Sequence, residues 1–367
     1  MRIKVIFIFL LSGSLTFLWS QENDSLFPDP LYEELAQAST DQLLFTSKDI
    51  LEITIQVGDL KKLIRDNGDN PAWHEGVLMY ENVGGPKVIL NVKLKTRGHF
   101  RKDPAHCNFP PICVNFKESE VGETIFEGQN KLKLVTHCKN KSLKYDQYLL
   151  KEYLAYRMYN VLTEKSYRVR LAEITYIDED DHFKTITRHG FFIEETKDMA
   201  KRNGFIHIKD NKISQRSLDF FYQDLLTIFQ YMIGNTDWSV PARHNIKLIQ
   251  EKPYLRPVPV PYDFDWSGFV NPVYAKPSEK LGIQTVEERL FRGYSKDIED
   301  YNQIFDLFLQ KKQEIFGLLD ECPLDEKNYK VAENYIHDFY SIISNEKRAL
   351  TEFVVKARCP KIDSWGK

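Results

Sequence analysis

The most informative part of the sequence is GNTDWSVPARHNIKLI (residues 234–249), followed by PVPYDFDWSGF (residues 259–269). A helical spacing of apolar residues over 217–233 precedes it. Two short β-like runs, 246–249 and 258–262, lie within it and are separated by a polar, proline-containing turn. The order therefore predicts a helix, a polar loop and a β-hairpin.

Four polar side chains occupy defined places in this order. Asp237 follows the helix, Asn245 directly precedes the first strand, and Asp263 and Asp265 follow the second strand. A hairpin places the residue that enters its first strand beside the residue that leaves its second, so Asn245 and Asp263 are expected to meet. Carboxylate and amide oxygens are the ligands that Mg²⁺ and Mn²⁺ prefer. Ordinary turn and capping residues are the alternative interpretation.

This order is typical of the catalytic half of a kinase-like site, in which metal offsets the charge of the phosphates. It predicts Asp237 as the catalytic residue that orients a substrate hydroxyl. It predicts Asn245 and Asp263, at the shared end of the hairpin, as metal ligands.

The rest of the chain divides into a β-rich and a helical part. Strand-like alternation occurs at 51–57, 88–95, 112–117, 131–136, 169–177 and 185–195, with a long helical pattern at 145–162. Further helices are expected near 300–319 and 328–344. We therefore predict an α+β, two-lobed, atypical protein-kinase-like fold with a β-rich N-lobe (49–212) and a mainly helical C-lobe (213–367).

The first half should supply groups that bind the nucleotide. Lys133 on the strand at 131–136 and Glu152 on the following helix, 19 residues later, have the order of the kinase Lys–Glu pair. Lys131 shares a face with Lys133 and competes for the role, and solvated lysines on an edge strand are an equal alternative. Glu195 ends a strand where an inter-lobe hinge would face an adenine, although an ordinary strand end would look the same.

A basic turn, KLKTRGHFRK (residues 93–102), follows the strand at 88–95. Arg97 in this turn is predicted to bind phosphate, and His99, Arg101 and Lys102 could also contact phosphate or an acidic substrate. A solvated basic loop is the alternative. The turn is not a glycine-rich phosphate loop, and no GxGxxG, GxxxxGK[ST], GxSxG or HExxH motif occurs in the sequence.

Composition excludes several classes of protein. The 367 residues include 50 Lys and Arg against 53 Asp and Glu, and this near balance argues against a dedicated nucleic-acid binder. The 24 Phe and 19 Tyr are too many for a disordered chain.

The N-terminus predicts export. Arg2 and Lys4 precede an apolar run over 5–18, and Ser20 is a plausible cleavage point, so we expect a signal peptide at 1–20 and a lead-in segment at 21–48. A retained anchor helix is the alternative. No other stretch is apolar enough to span a bilayer, so the mature protein is expected to be soluble and periplasmic or extracellular.

The five cysteines suit an oxidising compartment. Cys107 or Cys113 with Cys138, and Cys322 with Cys359, are the expected disulfide pairings. A zinc site at the doublets His106-Cys107 and His137-Cys138 is an alternative, but their spacing matches no standard zinc pattern.

Several of these motifs together resemble the CotH-like kinases, a family of secreted, spore-coat-type protein kinases with an atypical kinase fold. The motifs that carry the resemblance lie between residues 92 and 269, and they are Arg97-Gly98, Phe109-Pro110, the helix at 145–162, Gly190 to Glu195, Asn235 to Asp237 with Asn245, and Asp263 to Asp265. The resemblance implies Asp237 as the catalytic residue, Asn245 and Asp263 as metal ligands and Asp265 as a further ligand. Pro111 and Ile112 stand where the family usually has lysines.

The predicted function is therefore that of an exported, CotH-like atypical kinase. It would use Mg²⁺ or Mn²⁺ and transfer the γ-phosphoryl group of ATP to a hydroxyl, on Ser or Thr of an exported or surface protein. A non-catalytic, pseudokinase-like module that binds a surface protein or glycan is the alternative. A metal-dependent glycosyltransferase with a DxD motif is a third possibility, and the lack of alternating βαβ units argues against it. No nucleic-acid partner and no membrane span after signal cleavage are expected.

Overall fold

Seven strands of the first half of the chain close into a barrel. The computed structural model describes residues 43–81, 85–209 and 213–357. The barrel strands are β1 (Leu51–Val57), β2 (His74–Glu81), β3 (Lys87–Thr96), β4 (Ile112–Phe116), β5 (Lys131–Val135), β6 (Val169–Asp178) and β7 (Ile186–Ile193). Their order around the barrel is β1-β2-β3-β4-β5-β7-β6. The closing pair, β6 with β1, is parallel, and every other neighbouring pair is antiparallel.

Alternation along the strands fills the barrel interior. In β1 the side chains of Leu51, Ile53, Ile55 and Val57 are buried, and the residues between them are more exposed. Aromatic rings complete this core, which includes Phe126, Tyr176 and Phe192. Closure leaves neither edge of the barrel sheet unpaired.

The prediction of a two-lobed, kinase-like fold is wrong, because the strands form a closed, mixed β-barrel. Alternation in a sequence reports which side chains are buried, but it does not report which strands pair. Here β1 pairs with β2 on one side and with the distant β6 on the other. All described residues fall within one compact unit, so the fold is better described as a barrel with an attached helical layer.

The described residues form nine α-helices. They are α1 (Leu60–Arg65), α2 (Glu118–Val121), α3 (Leu143–Leu162), α4 (Thr196–Arg202), α5 (Phe220–Met232), α6 (Asn302–Gln310), α7 (Lys312–Glu321), α8 (Glu326–Ile343) and α9 (Glu346–Leu350). None of them has both the length and the apolar character that a membrane span requires.

Helix α3 joins the barrel to the helical part. Its apolar side chains pack in one core with Phe191 and Ile193 of β7 on one side, and with helices α5 to α8 on the other. Most of its residues are buried, including the charged Lys151 and Glu152. This burial on several faces is why the helix carries functional side chains into the interior.

A second sheet of three strands lies after the barrel in the chain. It consists of β8 (Ile206–Ile208), β9 (Ile246–Gln250) and β10 (Val258–Pro261), with β9 in the middle. The predicted hairpin is confirmed as β9 and β10, in which Ile246 pairs with Pro261. Beyond this pair, the N–H of Tyr262 donates to the carbonyl oxygen of Asn245 at 3.0 Å. The register therefore brings Asn245 to the end of the hairpin where Asp263 follows.

Candidate metal and phosphate site

The loop between α5 and β9 holds Asp237 by hydrogen bonds to both carboxylate oxygens. His244 Nε2 donates to Oδ1 at 2.8 Å, and Asn245 Nδ2 donates to Oδ2 at 3.1 Å. Asn245 Nδ2 also donates to the backbone oxygen of Asp237 at 2.8 Å. The hydrogen bond to Asp237 raises the pKa of His244 above its ordinary value. Asp237 and Asn245, which the sequence predicted to act together, are thus in direct contact.

The guanidinium of Arg292 supports this loop from behind. It donates to the backbone oxygens of Thr236 at 2.7 Å and of Trp238 at 2.6 Å, on either side of Asp237. Buried side chains that hold a loop by its backbone reduce its freedom, which fixes the position of Asp237.

Two residues at the end of the hairpin have left-handed backbone conformations. Asn245 has φ 53° and Asp263 has φ 64°, values that side-chain-bearing residues rarely adopt. The N–H of Asp263 donates to the hydroxyl of Tyr156 on α3 at 2.8 Å, which fixes its strained backbone. Such conformations persist where the surroundings over-determine them, and they concentrate at functional sites.

Three carboxylates meet beside this hairpin end, and we call Glu152, Asp263 and Asp265 the acidic cluster. Each contributes an oxygen, and these oxygens lie within 4.8 Å of one another. The guanidinium of Arg101 lies among them, 3.2 Å from Glu152, 3.8 Å from Asp263 and 3.5 Å from Asp265. One positive charge thus faces three carboxylates.

The acidic cluster is short of positive charge. Glu152 is only 1% exposed and Asp265 only 7%. Burial raises the pKa of Glu152 to about 8, although the charge of Arg101 opposes this shift. Burial likewise raises the pKa of Asp265 to about 7. Hard oxygen donors in this number suit Mg²⁺ or Mn²⁺, so Asp263, Asp265 and Glu152 fit a divalent cation.

Three cations lie near Tyr262, which directly precedes Asp263, and we call Arg97, Lys133 and Lys247 the basic cluster. Arg97 and Lys133 line one pocket together with Arg101, Glu152 and Asp263. The ammonium groups of Lys133 and Lys247 lie 5.9 Å and 5.1 Å from the ring centre of Tyr262. In the described ranges, no carboxylate lies within salt-bridge distance of these three side chains. Burial and the charge of Arg97 lower the pKa of Lys133.

The predicted Lys133–Glu152 ion pair is replaced by another. Both side chains line the same pocket, but the ion-pair partner of Glu152 is Arg101. Lys131, the competing lysine, is exposed.

Glu195 lies at the N-terminus of α4, where its carboxylate accepts a hydrogen bond from the Thr196 N–H at 3.2 Å. Its charge acts on Lys133, but it does not line the pocket. Its predicted hinge role assumed two lobes and loses that basis.

Sequence reasoning missed the central position of Arg101 and the presence of Lys247. Arg101 was one of several basic residues in a turn, and no spacing indicated that it would reach Asp265. Lys247 is the second residue of β9 and follows Asn245 by two positions. Its side chain is therefore expected on the same face of the strand as that of Asn245. Strand parity therefore offered a signal for Lys247, but none for Arg101.

A disulfide anchors the segment that carries Arg101. Cys107 is bonded to Cys138, which confirms one of the expected pairings and excludes both thiols as zinc ligands. Cys113 and Cys322 are free thiols, and Cys359 lies outside the described residues, as does the predicted signal peptide.

Comparisons with known proteins assign no family. No protein-family model matches the chain, and no curated protein matches it significantly. Membership of the CotH-like kinases therefore stays a prediction, and the function proposed next rests on the geometry of the site.

Proposed function

We propose that this protein is a metal-dependent phosphotransferase that moves the γ-phosphoryl group of ATP to a hydroxyl. One observation carries the proposal: the acidic cluster and the basic cluster adjoin at Asp263. A metal–triphosphate complex presents a divalent cation and a polyanion side by side. No simple ion offers both charges, so this ligand class matches the site best.

The charges of the site support the match. Three carboxylates and Arg101 leave the acidic cluster with two uncompensated negative charges when all are ionised, which one divalent cation would balance. Arg97, Lys133 and Lys247 supply three positive charges for phosphate oxygens. Buried ionic groups without compensation are costly, so a ligand that balances both clusters should bind favourably.

The residues take distinct roles in this proposal. Asp263, Asp265 and Glu152 hold the metal, with Asn245 beside them, and the basic cluster binds the phosphates. When bound, Mg²⁺ or Mn²⁺ offsets negative charge on the transferred group. Asp237 orients the acceptor hydroxyl and accepts its proton, and His244 and Asn245 keep its carboxylate in place. Catalysis would consist mainly of positioning and electrostatic stabilisation.

The identity of the acceptor and the export of the protein are proposed on grounds other than the geometry of the site. Ser or Thr of an exported or surface protein follows from the resemblance to the CotH-like kinases. The disulfide between Cys107 and Cys138 supports export, because disulfides persist in oxidising compartments.

A second candidate is a protein that binds a metal–nucleotide complex without transferring phosphate. The observation in its favour is that both oxygens of Asp237 already accept hydrogen bonds within the loop. Oxygens engaged in this way have fewer lone pairs free to accept a hydrogen bond from a substrate hydroxyl.

A transfer assay with γ-labelled ATP and Mn²⁺, run beside a filter-binding measurement of the same labelled nucleotide, separates the two candidates. The acceptors are the protein itself and dephosphorylated casein, and the variants are Asp237→Asn and Asp263→Asn. The matched control is Glu251→Gln, an exposed carboxylate at the opposite end of the same hairpin.

We expect the wild type and Glu251→Gln to transfer label. Asp237→Asn should bind nucleotide without transfer, and Asp263→Asn should do neither. Binding without transfer in the wild type would support the second candidate, and absence of binding would refute both.

A further inference from the structure

Arg101 occupies the centre of the acidic cluster. Its guanidinium contacts all three carboxylates, and its side chain is 11% exposed. In the parts of the chain that the structure describes, it is the cation that forms ion pairs with Glu152, Asp263 and Asp265. It therefore stands where a divalent cation would also be attracted.

Arg101 also borders two different spaces. It lines the pocket that contains Arg97 and Lys133, and it lines a small cavity with Tyr148 and Asp265. It belongs to a single 3₁₀ turn, Phe100–Lys102, rather than to a strand or a long helix. The side chain thus lies between the three carboxylates and the pocket to which Arg97 and Lys133 contribute.

We infer that Arg101 makes the site selective for a metal–nucleotide complex over the free metal ion. Without nucleotide, the guanidinium holds the three carboxylates and competes with any divalent cation. Phosphates bound by the basic cluster offer the guanidinium new bidentate partners, and this frees carboxylate oxygens for metal. The inference rests on the proposed metal and phosphate site. It adds that binding of the nucleotide strengthens binding of the metal at this site.

The buried hydroxyl of Tyr148 provides a separate sign that this region accepts a further polar group. Tyr148 is 6% exposed, and its hydroxyl oxygen has no hydrogen-bond partner among the described residues. It lines the same cavity as Glu152 and Asp265. Buried hydroxyls are normally satisfied, so a hydrogen-bonding group such as a metal-bound water would supply the partner that this hydroxyl lacks.

The test measures binding of Mn²⁺ alone, without nucleotide, by electron paramagnetic resonance of the free ion. Arg101→Gln is compared with the wild type and with Arg97→Gln, which removes a cation from the same pocket that forms no ion pair with the acidic cluster. Removing the positive charge that lies 3.2 to 3.8 Å from the three carboxylates should tighten Mn²⁺ binding by at least about a hundredfold in Arg101→Gln. Arg97→Gln should stay within about threefold of the wild type because its charge is farther from the carboxylates.

Arg101→Lys provides a test that does not depend on folding of the uncharged variant. A lysine keeps the charge, but its point-like ammonium cannot contact all three carboxylates as a guanidinium does. We expect its affinity for Mn²⁺ alone to rise by about tenfold over the wild type.

Unchanged Mn²⁺ affinity in Arg101→Lys would overturn the inference, as would wild-type affinity in a folded Arg101→Gln. Failure of the wild type to bind Mn²⁺ with ATP would instead refute the proposed function, so the two failures are distinguishable.

Discussion

Glu152 gives the sharpest prediction, because its closest ion pair should not stabilise the protein. Its carboxylate lies 3.2 Å from Arg101, so a reading from contacts alone would expect Glu152→Gln to be destabilising. Three carboxylates, however, share this one guanidinium, and burial raises the pKa of Glu152 to about 8. We therefore expect Glu152→Gln to stabilise the metal-free protein at alkaline pH.

The sign and the magnitude follow from the pKa. The folded-state pKa of Glu152 lies above its unfolded value of 4.5, so the folded chain binds a proton that the unfolded chain releases. The wild type then loses stability as pH rises between these values, whereas a glutamine does not titrate. At about 1.4 kcal/mol per pH unit, the advantage of Glu152→Gln should grow by about 2–4 kcal/mol between about pH 5 and pH 8.

The assay is urea unfolding with EDTA and an intact disulfide, followed by tryptophan fluorescence at both pH values. Glu194→Gln is the matched contrast, since Glu194 is also 1% exposed and also pairs with an arginine. Arg202 contacts Glu194 through two hydrogen bonds of 3.0 Å each, one to each oxygen. Arg202 also contacts the exposed Glu164 at 3.2 Å, so Glu194 shares its arginine with one solvated carboxylate rather than with two further carboxylates of a cluster. Loss of this buried, bidentate pair should cost about 3–5 kcal/mol.

Glu152→Gln and Glu194→Gln should thus change stability in opposite directions at pH 8. If Glu152→Gln were destabilising at pH 8, or if its effect on stability were the same at both pH values, the charge of Arg101 would be enough to balance the three carboxylates. The inference that the acidic cluster lacks a cation would then be refuted.

Three further predictions concern the disulfide, a pair of glycines and a lysine. Replacing Cys107 and Cys138 by serine should lower the free energy of unfolding by about 3 kcal/mol, measured by urea unfolding, because the bond closes a 31-residue separation. Gly234→Ala should cost at least about 2 kcal/mol, since φ is +62° and the new Cβ would lie 2.0 Å from the Tyr335 hydroxyl. Gly204→Ala, at φ +73° in open space, should cost only about 1 kcal/mol by the same measurement. Lys133→Met should weaken Mn²⁺–ATP binding in calorimetry by about tenfold, whereas the exposed Lys131→Met should not.

The sequence predicted local structure better than connectivity. The alternation of β1 and the helical spacing of α3 report burial directly, and both elements occur as Leu51–Val57 and Leu143–Leu162. Strand β2, with His74–Glu81, was not predicted, although it pairs with both β1 and β3. Without β2, and without knowledge that β1 also pairs with β6, the closed barrel could not be distinguished from an open sheet.

The site was predictable where it lies within one stretch of chain. Asp237, Asn245 and Asp263 are linked by a loop and a hairpin, whose register follows from sequence order. Arg101 reaches Asp265 across more than a hundred residues, and Glu152 faces both from a buried helix. Such contacts depend on tertiary packing, which no local spacing encodes.

The most direct test of the central claim is a thermal-shift titration of the protein with ATP, with and without Mn²⁺. A ligand that binds only the folded state raises the melting temperature by mass action. We predict a rise that requires both ATP and Mn²⁺, persists in Glu251→Gln and disappears in Asp263→Asn. No rise in the wild type, or an equal rise in Asp263→Asn, would contradict a metal–nucleotide site at the junction of the acidic and basic clusters.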